Sequence, residues 1–144
     1  MDYEIIFLPI AAGLICQFIK VVIETFKEKF SWSLFNEYGG MPSSHTAFVA
    51  GLLATVALYQ GINNTVFSVA LIFAIITVRD ATGFRRHLGK HAQVLNKIVK
   101  ELPDSKQSDF PILPERLGHT PFQVLVGAII GALIPILWFL HNIL

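Results

Sequence analysis

Two short polar stretches of this chain combine residue types that could do chemistry. PSSH, at 42–45, directly precedes a long apolar segment, and RLGHTPFQ, at 116–123, directly precedes another. If both apolar segments are helices, each stretch places a histidine beside a helix start, where free backbone N–H groups and the positive end of the helix dipole favour an anion. The anion that best fits two such histidines is a phosphate, with the imidazoles available for acid–base or nucleophilic work.

The same residues also have a structural interpretation. Ser43 or Ser44 could cap the helix that follows, and residues 120–123 fit a capping box with proline at the first helical position. For the serines, capping and chemistry are equally good explanations. A histidine is not needed to start a helix, so His45 and His119 together favour chemistry.

Basic side chains near both stretches could hold a phosphate. They are Lys20, Lys27, Arg79, Arg85, Arg86 and Arg116. His87 and His91, four residues apart, could ligate a metal, but no acidic pair lies at a fitting spacing, so we expect no metal site. The single cysteine, Cys16, excludes a disulfide framework.

The segments that position these residues are predicted to be membrane helices. Of 144 residues, 53% are apolar and 15% are charged, and the mean hydropathy is positive, which lies outside the balance of soluble domains. Four segments approach the roughly 20 apolar residues that cross a bilayer, at about 5–23, 46–61, 63–80 and 121–143. We therefore predict one all-α domain over 1–144, integral to the membrane as a four-span helical bundle.

Between the third and fourth spans, the sequence predicts an amphipathic helix at 84–102 and a loop at 103–118. The apolar residues at spacings of four and three are Leu88, Ala92, Leu95, Val99 and Leu102. A helix that lies in the membrane interface and binds lipid explains this pattern as well as a helix that only covers the bundle.

The basic residues indicate an orientation. If the four spans alternate, all 11 Lys and Arg residues fall on the face that carries both histidines, and the opposite face has none. The positive-inside rule therefore predicts that the histidine face is cytoplasmic. The expected partners are the lipid bilayer and a membrane lipid phosphate, with no nucleic acid.

Three ordered motifs make the chain resemble a known family. GGMPSSH at 39–45, DATGFRR at 80–86 and LGHTP at 117–121 are similar to the motifs of a divergent branch of the type 2 phosphatidic acid phosphatases, which are related to vanadium haloperoxidases. The resemblance covers nearly the whole chain. It implies hydrolysis of a lipid phosphate without metal or cofactor, through a phosphohistidine, in a bacterial inner or plasma membrane.

The parent family has the pattern K-x6-R-P, P-S-G-H and S-R-x5-H-x3-D. The resemblance implies that His119 is the nucleophile and that His45 is the general acid for the leaving alcohol. It places Ser43 at the serine of P-S-G-H, with Ser44 in place of the glycine.

Several positions depart from the parent pattern. Lys27 stands where an arginine would follow Lys20, Leu113 replaces the later arginine, and Gln123 replaces the aspartate that orients the nucleophile. A neutral glutamine stabilises an imidazolium less than a carboxylate does. The candidates for the missing cation are Arg116, Arg85 and Arg86, and the candidate for the missing carboxylate is Asp80.

Together these patterns predict a phosphatase of phosphatidic acid or phosphatidylglycerol phosphate. The parent family usually has six spans, so a four-span chain could complete its pocket as a homodimer. Gly127 and Gly131 form a GxxxG pair that could pack two chains or two helices of one chain. The alternatives are a non-catalytic binder of anionic lipid or phosphate, and a small transport or scaffold subunit.

Overall fold

The structure, a computed structural model, describes residues 3–27, 39–103 and 109–144. These residues form helices and loops and contain no strand, so the all-α class predicted from the sequence is confirmed. The elements are α1 (Tyr3–Lys27), α2 (Ser44–Gln60), α3 (Thr65–Arg79), a π-helical turn (Asp80–Phe84), α4 (Arg85–Lys100) and α5 (Pro121–Ile143).

α2 is the central helix of the bundle. It packs against α1, α3 and α5, and α1 also packs against α5. The buried residues of α2 surround the helix rather than forming one stripe, as expected for a helix that is apolar on every side. They are Thr46, Ala47, Val49, Gly51, Thr55 and Val56.

The GxxxG pair of α5 packs against α2 of the same chain. A Cβ atom on Gly127 would collide with the carbonyl oxygen of Ser43, and one on Gly131 would collide with the carbonyl oxygen of Ala47. Small residues allow membrane helices to approach backbone to backbone in this way. Of the two predicted uses of the pair, the structure therefore shows the contact within one chain.

Asn64 joins α2 to α3. Its side-chain amide donates to the carbonyl oxygens of Gln60 at 2.9 Å and Gly61 at 2.6 Å, so it satisfies the last carbonyls of α2. Its Oδ1 accepts the N–H of Phe67 at 2.8 Å and caps the start of α3. One side chain thus terminates one helix and begins the next.

α3, the π-helical turn and α4 form one continuous helix of 36 residues, Thr65–Lys100. The predicted amphipathic helix is therefore an extension of α3. Its buried face contacts the loop before α5: Asn96 donates to the carbonyl of Leu113 at 2.8 Å and accepts the N–H of Leu113 at 3.0 Å.

Three of the described helices are long and apolar enough to cross a membrane: Tyr3–Phe26, Thr65–Lys100 and Pro121–Ile143. Large apolar side chains cover the outside of these helices, such as Phe18, which is 64% exposed, as expected for a surface that meets hydrocarbon. The chain is thus a membrane protein. α2 has 17 residues and is shorter than the other three, so the four-span count stays a prediction.

Candidate functional site

Both histidines line one cavity at the end of the bundle where α2 and α5 begin. The cavity has a volume of about 370 Å³. α1, α2, the π-helical turn, α4 and the loop before α5 all contribute to it, and its polar lining residues include Lys20, Ser44, His45, Asp80, Arg85 and His119. Two residues that are 74 positions apart in the sequence therefore share one polar site.

His119 is held in place by two backbone carbonyls. It directly precedes the N-cap of α5 and is 7% exposed. Its Nδ1 lies 3.2 Å from the carbonyl oxygen of Gly40, and its backbone N–H donates to the carbonyl oxygen of Ala81 at 2.9 Å. A carbonyl oxygen can only accept, so in the neutral ring Nδ1 carries the proton and Nε2 carries the free lone pair. This tautomer leaves Nε2 available as a nucleophile.

Burial favours the neutral form of His119. Removal from water lowers the pKa of the imidazole below its ordinary 6.5, and the nearby His45 and Lys20 lower it further. The hydrogen bond to Gly40 and the contact with Gln123 partly oppose this shift. At neutral pH the ring is therefore unprotonated, as a nucleophile must be.

The π-helical turn explains why the second and third motifs occur together. In this turn each N–H reaches the fifth preceding residue, so Arg85 N–H donates to the carbonyl of Asp80. The carbonyl of Ala81, inside the turn, accepts the N–H of His119. DATGFRR and LGHTP are thus joined by a backbone hydrogen bond that fixes the position of the histidine.

Gly118 allows the loop that carries His119 to touch the helix that carries Arg86. Its φ is 81°, a conformation that L side chains rarely adopt. A Cβ atom at this position would lie 2.5 Å from the backbone nitrogen of Arg86. A glycine is therefore required here by both conformation and space.

His45 is the second residue of α2 and is exposed at the cavity. Within the described part of the chain, no hydrogen bond holds its ring. The helix fixes its backbone, but the ring is less constrained than that of His119. A proton donor that must reach a leaving group and then exchange with water fits this environment.

The two serines occupy different places. Ser43 is fully buried, its Oγ accepts the N–H of Thr46 at 3.4 Å, and its own N–H donates to the carbonyl of Gln123 at 3.2 Å. Ser43 is thus the N-cap of α2, as the structural interpretation of the serines predicted. It does not line the cavity. Ser44 lines the cavity beside His45.

Two cations line the cavity from different helices. Lys20 is 5% exposed and lines it from α1. Arg85 lines it from α4, and its Nε donates to Oδ2 of Asp80 at 2.5 Å. Asp80 therefore orients Arg85, and the carbonyl of Gly40 occupies the position at His119 Nδ1 for which Asp80 was a candidate. A guanidinium has five N–H donors, so others remain for a phosphate.

Arg86 and Arg116 lie elsewhere. They line a second cavity of about 370 Å³ that meets the first at His119 and also contains Thr120 and Gln123. Oε1 of Gln123 accepts the N–H of Thr120 at 2.8 Å, which completes the predicted capping box. The side chain of Lys27 lies outside what the structure describes.

The residues near His119 that were not predicted include Gly40 and Glu24. Gly40 supplies the backbone carbonyl that binds His119. Every residue has such a carbonyl, so no residue type in the sequence could indicate this role. Glu24 is 8% exposed and lines the second cavity. The sequence signal for Glu24 was an acidic residue one helical turn after Lys20, close to the end of a predicted membrane span.

Comparison with known proteins identifies a family and a relative that cover most of the chain. Residues 1–134 match the family described as "Divergent PAP2 family". The chain is also similar to YuiD, an uncharacterized membrane protein of Bacillus subtilis (strain 168), with 42% identity over an alignment of 137 positions; the match covers 87% of each chain. No solved structure matches the chain significantly.

Proposed function

This chain belongs to the divergent PAP2 family of membrane proteins, and on that premise we propose that it is a metal-independent phosphatase of a lipid phosphate monoester. One observation carries the proposal. His45 and His119 share a cavity with Lys20 and Arg85, and the carbonyl of Gly40 holds His119 in the tautomer that a nucleophile needs.

In the first step, Nε2 of His119 attacks phosphorus and the bond from phosphorus to the lipid alcohol breaks. The anionic phosphate bound beside His45 favours the protonated ring, and His45 gives its proton to the departing oxygen. In the second step, His45 takes a proton from water, the water oxygen attacks phosphorus, and the bond to Nε2 breaks. Phosphate leaves, His119 is neutral again and His45 is again protonated, so no metal or cofactor is consumed.

The cations stabilise charge on the phosphoryl oxygens in both steps. Lys20 supplies a point charge from a wall with little exposure to water, where electrostatic attraction is stronger than in bulk solvent. Arg85, fixed by Asp80, offers a planar set of donors. The first turn of α2, which carries Ser44 and His45, adds backbone N–H groups and a positive dipole end.

The carbonyl of Gly40 is a weaker partner for His119 than the aspartate of the parent pattern. It accepts the Nδ1 proton and orients the ring, but it is a neutral dipole and stabilises positive charge on the imidazole less than a carboxylate does. We therefore expect slower formation of the phosphohistidine than an aspartate would allow.

The proposal includes four membrane crossings with the histidine face in the cytoplasm. α2 is about 26 Å long at 1.5 Å per residue, slightly less than the roughly 30 Å of a hydrocarbon core, and three longer helices surround it or flank it. All basic residues fall on the histidine face in this arrangement. A cytoplasmic site fits phosphatidic acid or phosphatidylglycerol phosphate as substrates.

In this arrangement α4, the continuation of α3 beyond the π-helical turn, leaves the membrane on the histidine face. Leu88, Leu95 and Ile98 are 56%, 49% and 53% exposed, while Lys90 and Lys97 lie on a different side of the helix. An exposed apolar face beside a basic face is typical of a helix at the surface of an anionic membrane. The proposal also includes a homodimer. Gly127 and Gly131 would not form its contact, because they pack against α2 of the same chain.

One observation favours a second function, a non-catalytic binder of anionic lipid. In the described part of the chain no carboxylate hydrogen-bonds His119, because Asp80 binds Arg85 and Gln123 stands at the aspartate position. The two functions are separated by phosphate release from a panel of lipid phosphates by the purified protein, with and without vanadate. Vanadate-sensitive release is expected; binding of the lipids without release would identify the binder.

A further inference from the structure

The cavity that holds the histidines extends into the apolar part of the bundle. On α1 its wall follows one face of the helix over eight residues, about 10 Å along the axis. That face consists of Gly13, Leu14, Gln17 and Lys20. The lining thus changes from charged at Lys20, beside the histidines, to apolar at Leu14.

The opposite walls of the apolar part come from α2 and α3. Phe48 of α2 and Thr77 of α3 both line it. A Cβ atom on Gly13 would collide with the ring of Phe48, so this ring lies directly against the backbone of α1. The cavity therefore has a floor of α2 between walls of α1 and α3.

This part of the cavity is open to the side. α1 and α3 both pack against α2, but the described residues of α1 and α3 make almost no contact with each other. Leu14 is 61% exposed and Phe48 is 36% exposed, although both line the cavity. In a bilayer such a cleft opens toward the hydrocarbon region at the depth of α1 and α3.

We propose that the cleft between α1 and α3 holds an acyl chain of the lipid whose phosphate lies between His45 and His119. The inference rests on the proposed function and adds to it the site that recognises the lipid tail. A cationic end and an apolar end in one cavity match an amphipathic ligand, whereas a soluble phosphate would use only the polar end. The lateral opening lets the lipid enter without leaving the bilayer.

The cleft affects the position of the bound lipid phosphate more than the affinity for the lipid. An acyl chain that moves from the bilayer into an apolar cleft exchanges one hydrocarbon environment for another, so it gains little from the hydrophobic effect. Its effect is to direct the phosphate toward His119, which matters because small misplacements reduce rates steeply. Filling the cleft should therefore impair lipid turnover and spare a substrate without a tail.

Leu14→Trp fills the cleft, and Ile15→Trp is its matched control. Ile15 is the next residue of α1, 44% exposed, and does not line the cavity. Leu14→Trp is expected to slow release of phosphate from dioleoyl phosphatidic acid by about tenfold or more and to leave hydrolysis of p-nitrophenyl phosphate unchanged. Ile15→Trp should affect neither substrate. Equal losses on both substrates, or full lipid turnover by Leu14→Trp, would overturn the inference.

A crosslinking experiment tests the cleft without turnover. Phosphatidic acid with a diazirine in one acyl chain is irradiated with the wild-type protein in vesicles, and labelled peptides are identified by mass spectrometry. Labels concentrated at Leu14, Phe48 and Thr77, and absent with the matching diacylglycerol, are expected. Labels spread evenly over lipid-facing residues such as Phe18 would reject the cleft even in an active enzyme. Labels at the cleft without any phosphate release would keep it and reject the phosphatase.

Discussion

At the start of α2 the capping serine is buried and the histidine is exposed, whereas at the start of α5 the histidine is buried and the capping threonine is exposed. Ser43 caps α2 from the interior, and His45 projects from the helix itself. His119 precedes its helix and is bonded through ring and backbone to two other parts of the chain, Gly40 and Ala81. Two similar sequence patterns thus produce one fixed and one accessible imidazole.

The difference matches the two roles in a phosphohistidine mechanism. A nucleophile depends on a fixed distance and angle to phosphorus, so it benefits from a rigid ring with a defined tautomer. A general acid must reach the departing oxygen and then exchange protons with water. The different constraints on the two rings therefore support the proposed roles, His119 as the nucleophile and His45 as the acid.

The largest expected effect belongs to the fixed histidine. His119→Ala should abolish both phosphohistidine and turnover, because no other imidazole has its position. His119→Asn, whose side-chain amide can still donate to the Gly40 carbonyl, is the control for folding and should be equally inactive. The check is phosphate release together with labelling by lipid that carries radioactive phosphate. Residual labelling of either variant would assign the nucleophile to another residue.

His45→Ala should have a smaller and substrate-dependent effect. General-acid assistance contributes about 10²- to 10⁴-fold and matters least when the leaving group is already stable. Turnover of phosphatidic acid should fall within that range, while p-nitrophenyl phosphate should still give a covalent intermediate. The two substrates are compared in rapid-quench labelling. The same fractional loss on both would contradict the role of His45 as the acid.

A pair of glycines tests how the loop before α5 fixes His119. Gly118 and Gly61 both have a positive φ, 81° and 79°, so alanine adds backbone strain at each position. Nothing lies within 4 Å of a Cβ on Gly61, whereas the backbone of Arg86 blocks one on Gly118. Both variants should lower the thermal unfolding temperature in detergent, but only Gly118→Ala should also slow turnover by the folded protein, because only that change displaces the loop that carries His119. Full turnover by folded Gly118→Ala would mean that this contact is unimportant.

The smallest effect concerns the missing carboxylate. Burial lowers the pKa of His119, so the nucleophile stays neutral below pH 6.5 and activity is lost only at lower pH, as the ring becomes protonated. Gln123→Asp adds a negative charge beside the ring, favours the imidazolium and raises this pKa. The acid limb of the pH–rate profile should move to higher pH in Gln123→Asp and stay in place in the uncharged Gln123→Asn. A shift to lower pH, or the same shift in both, would contradict this account.

The helical class and the two helix starts could be predicted from local patterns. Long apolar segments, each preceded by a polar stretch with a capping residue, indicate where α2 and α5 begin. The capping box at Thr120 was predictable because both of its partners lie within four residues.

The parts that local patterns do not encode were missed. The bond from His119 to Gly40 joins residues 79 positions apart through a backbone carbonyl, for which no residue type is a signal. The composition of Asp80–Phe84 does not indicate a π-helical turn. The continuity of α3 with the amphipathic helix predicted at 84–102 was therefore not foreseen. Asp80 was a candidate to orient His119, but in the structure its carboxylate accepts a hydrogen bond from Arg85, five residues away.

The most direct measurement is the chemical identity of the phosphorylated residue in the wild-type protein. The protein in vesicles is mixed with labelled phosphatidic acid, quenched in alkali to preserve phosphohistidine, and digested for mass spectrometry. The account predicts an acid-labile phosphate on His119, attached at Nε2, which disappears when vanadate is present. Lipid turnover with phosphate on another residue, or lipid binding with no phosphorylated residue and no release, would contradict it.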